Sequence, residues 1–381
     1  LSLYIPEGTI PLVQNAMVRI ERRLPHPGEI LVRVGGRVEP EDVIARAYVP
    51  ADPQIINVAR ALGISPNQVP QAMRREPNNR VTKGEVLARA SRFGGRGCHA
   101  PVNGLITAVD SETGYVTLAP EPSQYELTAS IRGVVMEVQS NEGVIIETQA
   151  AEVYGAFGIG QERSGVLRLM VIDPGEVVQP EQIDPRSAYA ILICGGGITA
   201  AALRRAVQEQ VRGIIVGGIE ERELRAFLGA GSIDCWRTGN GGWQLPLAPP
   251  HRDPGLTLVI TEGFGIRPMA MPLFEMLSNL DRAEALISGT TRLRQVRRRP
   301  RVVVPLSRGV AVQEQVEPAR LRSGALVRLL DAEHLGAVAQ VRNVSYQPRR
   351  LPSGVRSAAV EVQLEDATPF WLPQSAVEVI A

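Results

Sequence analysis

The sequence predicts a multidomain, β-rich α+β protein in three parts: a β module over 1–185 with a helical insert at 52–76, a three-layer α/β domain over 186–305, and a small five-stranded β-barrel over 306–381. Three observations predict it. At 381 residues the chain exceeds what one hydrophobic core usually supports. Its first half repeats itself. Near Ser187 the hydrophobic period changes, and short apolar runs begin to alternate with helical patterns.

The repeat comes in two pairs. R-V-E-P-E-D-V-I-A-R-A at 37–47 recurs at 80–90 as R-V-T-K-G-E-V-L-A-R-A, and the stretch 104–119 realigns without gaps on 133–148. Each copy of the second pair sets β-branched runs on either side of a polar turn that ends in glycine, which is a hairpin signal. Paired hairpins imply quasi-symmetric β packing. The motifs V-G-G-R-V-E-P-E-D-V-I-A, V-T-K-G-E-V-L-A and A-P-V-N-G-L-I-T-A-V-D resemble the barrel-sandwich hybrid family over about 28–148. That family includes biotinyl and lipoyl domains and inserts in the large subunits of bacterial RNA polymerase. In its carrier members a modified lysine sits in the hairpin turn. Here the turns read D-S-E-T-G and S-N-E-G, so the resemblance implies a rigid platform and not a carrier.

Within this module the stretch 52–75 reads as helical. Ala59, Gly63 and Val69, with Val58, Leu62 and Ile64 between them, resemble a helix-turn-helix, and Ser65-Pro66 is a helix start. Pro70 falls inside the would-be recognition helix, so a helical hairpin packed over the end of the barrel is the expectation. The stretch 153–185 carries short β-like runs and closes on D-P-G-E-V-V-Q-P-E-Q-I-D-P, the composition of a linker or domain edge.

In the middle domain, strands are expected at 188–194, 214–216, 256–260, 283–287 and 302–304, with helices through Gln210, over 220–228 and over 271–280. In such sheets ligands sit beyond the carboxyl ends of the strands, where helix amino ends point at them. Three glycine loops fit that position and nominate Gly195, Gly196, Gly197, Thr199, Gly217, Gly218, Thr261, Glu262 and Gly263 for a small anionic ligand. The same glycines also fit tight strand-to-helix turns with no ligand. G-I-I-V-G-G-I followed by L-V-I-T-E-G-F-G is similar to DRTGG-type regulatory domains, which implies ligand binding without catalysis.

A basic run, Arg292, Arg294, Arg297, Arg298, Arg299 and Arg301, leads toward the last module, whose long loop carries Arg349 and Arg350. Such arginines suit phosphate contacts or a solvated surface. G-A-L-V-R-L-L, H-L-G-A-V-A-Q-V and the closing P-Q-S-A-V-E-V-I resemble KOW domains of NusG-type transcription factors, SH3-like barrels that occur also in ribosomal proteins. Gly336 would allow the turn after the first hairpin strand.

Composition removes several classes. A formal charge of +1 gives no global attraction to nucleic acid or anionic membrane. Lys83 is the single lysine, which leaves no phosphate-loop or Schiff-base lysine unless it serves. The three cysteines, Cys98, Cys194 and Cys235, suit a reducing compartment, and His26, His99, His251 and His334 share no metal-ligand spacing. Cys98 and His99 are neighbours on a strand and point to opposite faces. No apolar run is long enough to span a bilayer and no signal peptide is legible, so a cytoplasmic protein without membrane contact is expected. Leu1 in place of methionine suggests a missing upstream piece. No catalytic residue, metal site or cofactor is assigned. Two functions remain: a non-enzymatic scaffold or binding protein touching nucleic acid or the transcription or translation machinery, and a sensor or enzyme for a small anionic metabolite such as a nucleotide or sugar phosphate.

Overall fold

The computed structural model describes residues 12–379 apart from 91–94, 230–252, 292–298, 307–319 and positions 330, 332, 335, 336, 353 and 366. The chain is a multidomain, mixed α and β protein with several sheets. Strands β1 (Leu12–Arg23), β2 (Glu29–Ile30), β3 (Arg37–Val38) and β4 (Val43–Val49) begin an outer β module. An inner module follows, with β5 (Gln54–Asn57), helices α1 (Val58–Leu62) and α2 (Val69–Ala72), and strands β6 (Arg80–Val81), β7 (Val86–Arg89), β8 (Gly97–His99), β9 (Gly104–Val109) and β10 (Tyr115–Pro120). The outer module then resumes with β11 (Ser123–Thr128), β12 (Gly133–Gln139) and β13 (Gly143–Tyr154).

The internal repeat now has a structural cause: the inner module is a second copy of the outer one, inserted between β4 and β11. Val38 faces Gly133 and Arg37 faces Val134, as Val81 faces Gly104 and Arg80 faces Leu105. Leu127 faces Ala45 and Thr128 faces Val43, as Cys98 faces Ala88 and His99 faces Val86. Even the Ile30–Ala45 pair has its counterpart in the bridge between Met73 and Ala88.

The gapless alignment of the second hairpin needs one correction. Buried Val116 and Leu118 occupy the places of Val144 and Ile146, one residue out of step with the sequence match. A strand cannot absorb such an offset, because a one-residue slip turns every side chain to the other face. The turn takes it up: in the inner copy the Asp110 carboxylate accepts from the Glu112 amide at 2.8 Å and Gly114 adopts φ 73°, whereas the outer turn is shorter and passes through Asn141 at φ 62°.

The helical insert belongs to the inner module. Asn57 caps α1 by accepting from the Arg60 amide at 2.8 Å, and α1 ends at Gly63 with φ 71°. Pro70 lies in the first turn of α2, where its missing N–H leaves no bond unmade. With four residues α2 is too short to act as a recognition helix, and Val58, Ala59, Leu62 and Val69 are buried in the inner core. The stretch 54–57, read as part of the helical insert, is instead a strand.

The α/β part contains β14 (Phe157–Ile159), β15 (Arg163–Leu169), β16 (Val177–Val178), β17 (Ala190–Ile193), β18 (Gly197–Ile198), α3 (Ala200–Gln208), β19 (Gly213–Ile219), α4 (Glu221–Leu228), β20 (Thr257–Phe264), α5 (Met271–Asn279), β21 (Glu284–Ser288) and β22 (Arg301–Pro305). Strands β15, β17, β19 and β20 run parallel in that spatial order, and α3 packs on α4. The sheet runs on through β21 and β22 to β13, all antiparallel. It crosses the limit read at 185/186, since β15 comes from the short β-like runs ahead of the linker-like stretch and pairs with β17. The terminal unit has β23 (Leu326–Leu329), β24 (Val338–Arg350), β25 (Arg356–Gln363), β26 (Phe370–Pro373) and β27 (Val377–Val379), an antiparallel sheet of spatial order β26-β25-β24-β23-β27. Among the described residues no helix is long and apolar enough to cross a membrane.

Because Val49 pairs directly with Ser123, the inner module enters and leaves the outer one at adjacent points. Replacing residues 50–122 with a two-residue Asn-Gly hairpin turn should therefore leave the remaining sheets folded. Near-native circular dichroism of the remainder with one cooperative thermal transition is the expected result, and loss of cooperativity would show that the inner copy supports the outer one.

Candidate functional site

The three glycine loops do converge at the carboxyl end of the parallel strands, and the structure answers their polar groups from within the chain. The Gly196 amide donates to the Glu176 carbonyl at 2.8 Å, and the Gly195 and Gly196 carbonyls accept from the amides of Gly217 and Arg267 at 2.9 and 2.8 Å. A Cβ at Gly195 would lie 2.5 Å from the Glu176 carbonyl oxygen, and one at Gly217 or Gly218 would run into the Arg267 or Gly265 carbonyl. Gly197 pairs with Val177 in the β16–β18 ladder. These glycines admit backbone where the sequence alone suggested room for a ligand.

Thr199 caps α3, its hydroxyl accepting from the Ala202 amide at 3.2 Å. The Glu223 carboxylate, from α4, accepts from the Ala200 amide at 2.8 Å. A side chain of the protein thus puts negative charge at the amino end of α3, the place expected for an anionic ligand. Thr261 is buried and donates to the Val216 carbonyl at 3.4 Å. Gly263 has φ 124° beside the register shift of β20 against β19.

Glu262 has a partner that sequence reasoning missed. Arg328, on β23 of the terminal unit and only 6% exposed, donates through Nη2 to Glu262 Oε2 at 3.0 Å and through Nη1 to the Thr261 carbonyl at 2.9 Å. The other Glu262 oxygen accepts from the Ala270 amide at 3.3 Å, ahead of α5. In the sequence Arg328 is the polar residue of an otherwise apolar strand, L-V-R-L, and nothing there marks it as an anchor between two units.

Of the basic run, Arg292, Arg294, Arg297 and Arg298 lie outside the described residues. Arg299 and Arg301 point to the sheet. Arg299 donates through Nε and Nη2 to the Gly155 carbonyl at 3.1 and 2.7 Å, with its guanidinium 6.0 Å from the centre of the Tyr154 ring. Arg301 pairs with Glu152 at 3.5 Å, and the Tyr154 hydroxyl donates to the other Glu152 oxygen at 3.0 Å. Burial pushes the Glu152 carboxyl above the usual range against the pull of Arg301 and Tyr154. Burial, with Glu152 beside it, pushes the Tyr154 phenol up to about 12.

Arg349 and Arg350 stand exposed at the far end of β24. Arg349 lies 4.1 Å from the centre of the Trp371 ring, a cation–π contact. Arg350 sits directly across from Arg356 on β25. Like charges opposite each other destabilise a ladder, and among the described residues none of these three arginines has an ion pair. Arg356 and Trp371 were not nominated from sequence, because only the hairpin register brings them beside Arg349 and Arg350.

Neither described thiol is placed as a nucleophile, and Cys235 lies outside the described residues. Cys194 is fully buried and pushed up to about 12, and Cys98 is buried with its thiol raised by burial while His99 faces solvent on the other side of the strand. Among the described residues no cluster of His, Cys, Asp and Glu is arranged for a metal ion. The chain matches no protein-family model, and a search of curated proteins finds no match either.

Two outcomes follow from these contacts. Arg328→Ala strands a buried carboxylate and carbonyl, and should cost about 3–5 kcal/mol in denaturant unfolding, as breaking a buried pair does; a loss within error would mean the clasp is not formed. Glu152 binds its proton more tightly in the folded state than in the unfolded, so its contribution is present below the unfolded value, about 4.3, and is lost as pH rises through the raised folded value. Glu152→Gln should flatten that fall in stability, and identical pH profiles for the two proteins would refute it.

Proposed function

We propose that the chain is a non-enzymatic scaffold or binding protein, working in the cytoplasm, that touches nucleic acid through the arginine-bearing end of its terminal unit, alone or as part of a transcription or translation assembly. The observation that carries this reading is the unpaired cross-strand couple Arg350 and Arg356 beside the Arg349–Trp371 stack. Three neighbouring cations with no ion pair among the described residues gain most when phosphates arrive, and the indole, with Glu361 across the ladder from it, adds a surface on which a base can stack.

The finer fold reading points the same way. A meander of four strands, the short 3-10 turn Gln374–Ala376, and a fifth strand returning to pair with the first support an SH3-like barrel of the KOW kind. The two nested copies with shared register support a barrel-sandwich hybrid used as a platform. The parallel strands β15, β17, β19 and β20 step in one direction, and α5 brings the chain back to β21 beside β15. Right-handed crossovers put α3 and α4 together on one face of the parallel strands, as in layered α/β domains.

Filter binding to single- and double-stranded DNA and to RNA over a series of salt concentrations tests the proposal. Affinity should fall with salt, and Arg349→Ala and Arg350→Ala should each lower the log–log slope by about 1. Trp371→Ala should weaken single-strand binding by about 1–3 kcal/mol. Binding that is absent, or flat with salt, overturns the reading.

A further inference from the structure

The carboxyl end of the parallel strands is covered by the protein's own backbone and by Arg328. Among the described residues the amino end is left uncovered. A cleft of about 380 Å³ lies there, and a second of about 400 Å³ runs from it along β15 to Leu169; the two meet at Val166 and Tyr189, which line both. Each falls within the range of small-molecule sites, about 300–1,000 Å³. One wall comes from the outer β module through Ser130 and Arg132, and the other from the residues that lead into the sheet, Tyr189 before β17 and Arg212 before β19.

Backbone strain collects at the same place. Setting aside two asparagines, four described non-glycine residues have left-handed backbone: Ser130 (φ 60°), Tyr189 (φ 61°), Gln210 (φ 59°) and Arg282 (φ 67°). Three of them line the clefts, and the fourth accepts the Tyr189 amide at 3.0 Å through its carbonyl. A bulky side chain is rarely held in this conformation, and such residues cluster at ligand sites. Gly165 secures the arrangement, since a Cβ there would lie 2.6 Å from the Tyr189 carbonyl oxygen.

The strained turn presents an unusual surface. The Tyr189 side chain is 57% exposed and Val166 is 45% exposed, which together make an apolar shelf. Arg212 holds its guanidinium 5.2 Å from the centre of the Tyr189 ring and forms no ion pair among the described residues. Arg132 donates to the Pro305 carbonyl at 3.0 Å and likewise has no ion pair among them. Glu41 and Glu284 line the same cleft as acceptors. A matching ligand has a planar ring, an anionic group and donors such as sugar hydroxyls or an exocyclic amine. An aromatic carboxylate without donors would meet only repulsion from the two glutamates.

We propose that this trough binds a nucleotide, with its base on the shelf of Tyr189 and Val166, its phosphate toward Arg132 and Arg212, and its sugar or base donors toward Glu41 and Glu284. The site shares no residue with the Arg349–Arg350 hairpin and does not depend on the function proposed for it. A free mononucleotide and an unstacked nucleotide of a single strand carry the same chemistry.

Calorimetric titration with adenosine 5′-monophosphate and, separately, with single-stranded oligodeoxyadenylate tests the site in the full chain. Tyr189→Gly removes the ring and leaves a residue that accepts left-handed backbone, so the fold is kept; Arg212→Gln removes the cation. Saturable binding of either probe, weakened at least about tenfold in both variants, is expected, with Tyr189→Gly melting at or above the native temperature. Binding of the mononucleotide assigns the free ligand, and binding of the oligonucleotide alone, lost in Tyr189→Gly, assigns the chain-borne one. No saturable heat with either probe, or affinities that both variants leave unchanged, overturns the proposal.

Discussion

Strand β22 serves two hydrophobic cores at once. Val303 is buried in the core of the outer β module, while Val302 and Val304 are buried in the core of the α/β sheet. The neighbouring strands do the same, with Leu286 on the first side and Ala285 and Ile287 on the second, and β13 divides Ile146 and Ala150 from Ala151 and Val153. Alternation with a period of two is what allows one ladder to glue two bodies. Each fully buried valine contributes about 1.5–3 kcal/mol, so a slip of one residue would expose several such side chains in both cores together.

That shared sheet shows what the sequence could and could not reveal. Hairpins at 104–119 and 133–148, the order of strands and helices from 190 to 288, and the terminal strands were legible because each rests on local periodicity or turn chemistry. Nesting was harder. The repeat was visible, but the relation of the copies depends on which strand pairs with which, a long-range property. β15 was missed as a central strand because R-S-G-V-L-R-L has the alternation of a half-exposed edge. Its arginines are used elsewhere: Arg163 pairs with Asp253 and Arg168 with Asp184 and Ser187 at the margins of the sheet.

The candidate site was legible in position and not in content. Glycines at strand ends were correctly expected to gather at one end of the sheet. Their purpose was hidden, because a glycine that admits a phosphate and one that admits a neighbouring carbonyl look alike in sequence. Glu223 and Glu262 settle the difference locally, by holding the α3 amino end and meeting the Arg328 guanidinium. Conversely, the exposed shelf of Tyr189 and the Arg350–Arg356 couple carry no motif. Each arises from backbone conformation or cross-strand register, and neither is encoded by adjacent letters.

Placing one β module inside its own twin also has a consequence for how the chain is made. As synthesis proceeds, β2 and β4 can pair with each other, but β1, β3 and the other edge of β4 must wait until β13, β12 and β11 appear. The inner copy finishes first and closes its own core. Once it has folded, its two ends lie side by side, so the interrupted outer module faces a short gap and not a long floppy one, and the entropic penalty of bringing β4 to β11 shrinks accordingly. The later-born half then finds its partner held in reach by a body already formed.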